Sequence, residues 1–185
     1  MRTIIGVLAM VMVLGCAPNP DRYAVVPPDI SETQRIAFSS VEVRNVSLPA
    51  YAASDEITVQ DADGRLVSDG SVLWADTPDR AVAQELSRNL SRITGARVAA
   101  SPWPLESLPA ARLEVRFETL LAGADGQYRA QGQYFVAVPD GGRERFGLFD
   151  LAVPYDLEAG AGAIAAARGQ LILDLSRDIA RRGLR

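Results

Sequence analysis

The sequence predicts an α+β domain, an antiparallel β-sheet with two amphipathic α-helices packed on one face. Three observations carry that expectation. The second half of the chain holds three long stretches in which apolar and polar residues alternate, joined by short turns rich in Gly and Asp, the pattern of antiparallel hairpins. Two other stretches, one mid-chain and one C-terminal, repeat their apolar residues at helical spacing. The helices are segregated from the runs of strands instead of alternating with each strand, which favours α+β over a parallel α/β sheet.

The domain begins at Arg35. Ile36 and Phe38 alternate, then Val41 and Val43 alternate in the opposite phase, so a bulge is expected at Ser39-Ser40. Leu48-Pro49-Ala50-Tyr51 breaks this strand. Short strands follow at Glu56 to Gln60, Arg65 to Ser68 and Val72 to Trp74. Their separators, Asp61-Ala62-Asp63-Gly64 and Asp69-Gly70, both carry hairpin turn chemistry. Thr77-Pro78 supplies an N-cap and a proline at the first helical position, with Asp79 in the first turn. Val82, Leu86, Leu90 and Ile93 form one buried stripe and Gly95 ends the helix; Arg97 to Ala99 is a short strand leading into Ser101-Pro102-Trp103-Pro104.

In the second half, Leu113, Val115 and Phe117 share one face of a strand from Arg112 to Phe117. Tyr128, Tyr134, Val136 and Val138 share a face of Gln127 to Val138, and Arg145 to Val153 is a third strand with a phase change near Leu148-Phe149. The last helix runs from about Leu157 to Arg182, with Ile164, Leu171, Ile172, Leu175 and Ile179 inward. Arg177, Arg181 and Arg182 sit at the negative end of its dipole. Residues 35–185 are expected to share a single core.

Ahead of the domain, Met1-Arg2-Thr3 and an apolar run from Ile4 to Leu14 form a one-charge n-region and an h-region. The run is too short to span a bilayer, which needs about 20 apolar residues. Val13-Leu14-Gly15-Cys16 ends it at the only cysteine in the chain and suits a bacterial lipobox. On that reading residues 1–15 are a signal peptide and Cys16 is the lipidation site and mature N-terminus. The alternative, an ordinary cleaved signal, leaves a lone thiol in an oxidising compartment. Several acyl chains on one cysteine, at about 0.8 kcal/mol per buried methylene, suffice for stable anchoring. Residues 16–34 read as the lipidated cysteine and a linker in which Pro18, Pro20, Pro27 and Pro28 favour extended backbone. At about 3.1 Å per residue, residues 17–31 would reach roughly 45 Å. Tyr23-Ala24-Val25-Val26 is expected to form a short edge strand within it.

Composition excludes most catalytic chemistry. Histidine and lysine are absent and all 19 basic residues are arginine. Ser-His-Asp and Cys-His arrangements are therefore impossible, as are a Schiff base and a P-loop lysine, and with Cys16 lipidated no Cys/His zinc site can form. Only carboxylate chemistry survives. No cofactor and no metal are expected. Loss of residues 1–15 removes Arg2, leaving 18 arginines against 23 carboxylates, a net charge of −5. That balance gives no footprint for nucleic acid.

Three motifs have plain structural readings. Gly160-Ala161-Gly162-Ala163-Ile164-Ala165 fits a dinucleotide fingerprint, but no later strand completes a βαβ unit, so it reads as a small-residue helix start that lets the helix approach the sheet closely. Asp61-Ala62-Asp63-Gly64 matches the start of a calcium loop, but Val72 stands where the glutamate belongs, so it reads as a turn. Glu114 and Glu118 lie on the charged face of an alternating strand, roughly 13 Å apart at about 3.3 Å per residue, wide for a glycosidase pair. Tyr51, Trp74 and Trp103 each stand at the end of an element beside prolines or turns. They read either as core residues or as anchors of a protein interface, where such residues are enriched.

Leu48-Pro49-Ala50-Tyr51, Gly64-Arg65-Leu66, Trp74-Ala75-Asp76 leading into a helix with Leu86 and Leu90, and Pro102-Trp103 together resemble the ABC-type transport auxiliary lipoproteins of the PqiC/YmbA type. With the lipobox and the strand-rich second half, the resemblance covers most of the mature chain. Departures are Asp76-Thr77-Pro78, where the family usually has glutamate and proline, and Ala52, where it commonly has leucine. The resemblance implies an outer-membrane lipoprotein facing the periplasm and docking onto an inner-membrane-anchored MCE-domain protein that forms a lipid tunnel. It further implies no catalysis and a homo-oligomer; on the interface reading, Tyr51, Trp74 and Trp103 are the candidate partner-binding residues. Ala17 after the cysteine likewise favours export to the outer membrane. Two other classes stand beside this one: a periplasmic lipid-binding carrier with its own apolar cavity, and a carboxylate-dependent envelope hydrolase.

Overall fold

Residues 19–139, 141–142 and 144–185 are described by a computed structural model of the chain; residues 1–15, read above as a signal peptide, and Cys16 lie outside them. The strands are β1 (Asp21–Tyr23), β2 (Ser40–Ser47), β3 (Glu56–Gln60), β4 (Leu66–Trp74), β5 (Arg97–Ala100), β6 (Ala111–Ala122), β7 (Gln127–Ala137) and β8 (Arg145–Pro154). The helices are α1 (Pro78–Thr94) and α2 (Gly160–Asp178), the latter preceded by a 3-10 turn at Leu157–Ala159 and extended by a π turn at Ile179–Gly183. All strands belong to one sheet, and the fold is α+β as expected.

β6 is its axis. On one side it pairs antiparallel with β7, which pairs antiparallel with β8. On the other, β2 lies parallel to its first half and β3 meets it at Ala122, with β5 beyond β2, and β4 then β1 beyond β3. The sheet is thus mixed, not wholly antiparallel. The second-half hairpins are as expected, whereas the parallel pairs join segments far apart in sequence, which no local turn signal reports.

The predicted stripes are buried. Val82, Leu86, Leu90 and Ile93 of α1 are at most 1% exposed, and Leu171, Ile172, Leu175 and Ile179 are fully buried. They cover the sheet face carrying Val41, Val43, Leu113, Val115, Phe117 and Tyr134. Each fully buried Leu or Ile contributes about 1.5–3 kcal/mol relative to exposure. Tyr134 is seated by two glycines: a Cβ at Gly147 would fall 2.4 Å from its ring and one at Gly183 2.7 Å from it.

Several local expectations shift. The break in β2 lies between Val43 and Asn45 rather than at Ser39-Ser40, and Ile36 and Phe38 pack on the core from outside any strand. The Asp61–Gly64 turn is a hairpin, with the Asp61 N–H donating to Arg65 O at 2.9 Å and Gly64 at φ 81°. Asp69-Gly70 does not turn the chain. It lies inside β4, in a register shift opposite β3, where Asp69 Oδ1 accepts from the Ser71 N–H and hydroxyl. Thr77 occupies the N-cap of α1 without a side-chain cap; its N–H and hydroxyl donate to Asp76 Oδ1, which also pairs with Arg80. Gly95 ends α1 in the left-handed conformation, φ 68°, donating to Ser91 O. Gly160 and Gly162 would have open space around an added Cβ, so close approach is not their role.

Close approach occurs instead at Gly169 of α2, where a Cβ would lie 2.7 Å from Val25 Cγ1. Here the stretch expected to run free as a spacer is docked. β1 adds in parallel to the edge of β4, two residues earlier than Tyr23–Val26 was expected to pair, and Tyr23, Val25 and Ile30 pack on the core. Prolines oppose helix but suit an edge segment, and the apolar residues between them gain by burial. The reach of the spacer is shorter by this docked length.

Candidate functional site

Trp74 ends β4 at 6% exposure, with the Arg168 guanidinium 4.4 Å from its ring centroid. Arg168 Nη2 donates to Glu85 Oε1 at 2.9 Å. This ion pair joins α2 to α1 inside the protein, at 2% and 7% side-chain exposure. Desolvation raises the Glu85 pKa, against the pull of Arg168 and Arg88. Burial likewise raises the Tyr128 phenol, which shares a small pocket with Trp74, Arg168 and Tyr51. Tyr51 fills the gap between β2 and β3, its hydroxyl accepting from the Leu120 N–H at 3.4 Å, so a backbone donor without a strand partner is satisfied.

Of the three aromatic residues singled out in the sequence, the structure therefore brings two together. Trp74 belongs to the core. Tyr51 is half-buried beside it. Trp103 stands apart in the loop after β5, its indole donating to Ser107 O at 2.7 Å. Glu85 and Arg168 were not singled out, although the signal is present. Ile164, Arg168, Leu171 and Leu175 follow one another at helical spacing, as do Val82 and Glu85. Each charge thus falls on an apolar stripe.

The second feature is the sheet face away from the helices. Arg112 pairs with Glu42 at 3.3 Å, Glu114 is held by Arg116 at 2.6 Å, and Glu118 accepts from Gln133 at 3.0 Å. Glu114 and Glu118 are thus engaged on a solvated face. Among these charges stand Phe146, 77% exposed, and Leu148, 67% exposed, paired in register with Phe135 and Gln133. They account for the apparent phase change in β8, which is absent: Phe149 is buried and the alternation runs unbroken from Arg145 to Pro154. Two apolar side chains on the wrong face imitate a slip. Among the described residues β8 pairs only with β7, so its outer edge is open.

Residues 23–180 match the model of the family described as the ABC-type transport auxiliary lipoprotein component. The chain belongs to this family. Its members are auxiliary lipoprotein components of ABC-type transport, so this chain is a lipoprotein component of a transport system. Two solved structures share the fold. One, described only as an uncharacterized protein, is 21% identical with a TM-score of 0.67 over 86% of this chain and 97% of its own. The other, a protein of Xanthomonas campestris, is 18% identical with a TM-score of 0.64 over 86% of this chain and 92% of its own. No curated protein matches the chain.

Proposed function

We propose that the mature chain, lipidated at Cys16, is an outer-membrane lipoprotein on the periplasmic face. There it docks to an inner-membrane-anchored MCE-domain protein and supports intermembrane lipid transport and membrane integrity, as a non-catalytic, homo-oligomeric accessory subunit. The observation that carries this reading is the family match over residues 23–180, in line behind a lipobox-type sequence. The open sheet face supports it, since exposed apolar residues amid charges are what a protein partner covers. Tyr51 and Trp103, both half-buried, keep part of their rings available for contact. Pull-down of the native lipoprotein from envelopes solubilised in mild detergent is expected to recover an MCE-domain protein, and repeated absence of one overturns the docking role. Cys16→Ser is expected to fold yet fail in the envelope; full function of that soluble form contradicts a tethering role.

One observation favours the carrier reading. An open apolar groove of about 370 Å³, lined by Ile57, Val59, Val67, Val72 and Ile164, lies beside the start of α2. Native mass spectrometry of the purified lipoprotein decides: lipid retained beyond the covalent anchor supports a carrier, and none counts against it.

A further inference from the structure

The apolar groove of about 370 Å³ lies where the chain ahead of the domain leads. Its size falls in the range of small-ligand pockets, roughly 300–1,000 Å³. Ile57 and Val59 of β3, Val67 and Val72 of β4 and Ile164 of α2 line it together with Tyr23 of β1. β1 pairs in parallel with β4, Asp21 opposite Val72. The direction back from Asp21 is therefore the direction from Val72 to Val67, along the groove. Cys16 precedes Asp21 by five residues, as Val67 precedes Val72. Five residues span at most about 18 Å when fully extended. Because β1 is held on the edge of β4 and Tyr23, Val25 and Ile30 pack on the core, Cys16 is confined to that distance from Asp21 by any path. At the same end Leu66 is 44% exposed and Val67 41%, apolar surface of the kind that a ligand or partner covers.

The charges around the groove discriminate between lipids. Among the described residues that line it, the only charged side chain is Asp69, and the Ser71 N–H and hydroxyl hold its carboxyl below the usual carboxylate range. The hydroxyl of Ser68, also in the lining, donates to Glu56 Oε2. The arginines adjoining in sequence are engaged elsewhere: Arg22 donates to Trp74 O at 3.3 Å, and Arg65 pairs with Asp61 at 2.8 Å. A phospholipid would bring its phosphate against carboxylates with no guanidinium to receive it. The lipid of a lipobox cysteine is joined through thioether, ester and amide bonds and carries no charge.

We propose that the groove between β3, β4 and the start of α2 holds one acyl chain of the lipid on Cys16 of the same molecule. This occupant rests on the lipidation of Cys16 proposed above, and it fills the groove with the anchor itself in place of a free lipid. The short tether favours it, since a ligand joined by a short flexible linker has an effective concentration on the order of millimolar. The remaining acyl chains stay in the bilayer. The start of α2 and the β3–β4 hairpin are thereby held facing the membrane, and the domain sits against the bilayer instead of standing off it.

Photo-cross-linking of the full-length lipoprotein tests it. Cells are fed a fatty acid bearing a diazirine, and the purified lipoprotein is placed in unlabelled phosphatidylethanolamine vesicles, so that only the anchor carries the label. The mass of the Cys16 peptide first reports lipidation. Illumination is then expected to join that peptide to the segments carrying Ile57, Val67 or Ile164, with a yield that does not change as the protein is diluted among vesicles. Val67→Asp, at an exposed position of the groove wall, is expected to remove the cross-link with the Cys16 mass and the thermal melt unchanged. Should that variant lower the melting temperature, Ala161→Phe, which narrows the groove from α2, gives the same reading. A lipidated chain that cross-links only to vesicle lipid overturns the inference and leaves the anchor standing, whereas an unmodified Cys16 overturns the anchor and the occupant together. A yield that falls on dilution joins two copies and overturns the intramolecular site. A cross-link that survives both variants overturns the location.

Discussion

Replacing Glu85 or Arg168 alone is expected to destabilise the domain far more than replacing both. The pair is 2.9 Å apart and almost wholly shielded from water. Glu85→Leu leaves the Arg168 guanidinium buried with no counter-charge, and Arg168→Met leaves the Glu85 carboxylate in the same position. Breaking a buried pair from one side costs about 3–5 kcal/mol, whereas replacing both partners by apolar residues of similar volume is often neutral or stabilising. Arg168→Met also forfeits the stacking on Trp74, worth up to about 2 kcal/mol when desolvated. Additive behaviour would thus put the double variant at roughly 6–10 kcal/mol, most of the 5–15 kcal/mol that holds a typical domain folded. The expected double variant lies within about 2 kcal/mol of the parent. Urea unfolding followed by tryptophan fluorescence reads this directly, and each single variant should melt about 6–20 °C lower, at 2–4 °C per kcal/mol for a domain of this size. Singles within about 1 kcal/mol of the parent, or a double equal to their sum, refute the reasoning. The pH dependence gives a second check. Burial holds Glu85 above the usual carboxylate range despite Arg168 and Arg88, so the native state binds its proton more tightly than the unfolded state. That contribution is complete below the ordinary glutamate pKa and is lost as pH rises through the folded value. The slope should vanish in the double variant.

Gly132→Ala is expected to cost about 3 kcal/mol or more, the upper end of overpacking effects, because its Cβ would lie 2.1 Å from Arg116 O and 2.8 Å from the Phe149 ring; a thermal melt checks it. Phe146→Ser together with Leu148→Ser should leave the melting temperature unchanged, since each surface change is worth within about 0.5 kcal/mol, while reducing recovery of the protein partner in the pull-down; undiminished recovery places the contact elsewhere. Asp125, which accepts from Arg129 Nη1 at 2.8 Å, is held down to a pKa of about 2 by that arginine. Its stabilising contribution is present above the ordinary aspartate pKa and lost as pH falls through about 2. Carboxyl carbon NMR should give that midpoint in the parent and a return towards the ordinary value in Arg129→Gln.

Much of the fold was legible residue by residue. The stripe Val82, Leu86, Leu90 and Ile93, the closing Gly95 and the hairpins of β6, β7 and β8 all follow from period and turn chemistry, which act over a few residues. The candidate site was less so. Its aromatic members stood out by type, yet type could not say that Trp74 is covered by Arg168 while Phe146 stands in water. Glu85 and Arg168 are 83 residues apart, and each reads alone as one polar residue on an apolar helix face.

By itself the sequence determined the α+β class, the two helices, the long hairpins, the absence of histidine and lysine chemistry, and the likeness to the transport lipoprotein family. These depend on composition and on spacing within single elements. Only the tertiary structure decided that β2 and β3 lie end to end along β6, that residues 21–30 dock on the domain, that two helices share a buried charge pair, and that β8 turns two apolar side chains outward. Each of these is a pairing between distant segments, selected by burial and hydrogen-bond satisfaction across the whole core, and such energies have no expression in a local stretch of chain.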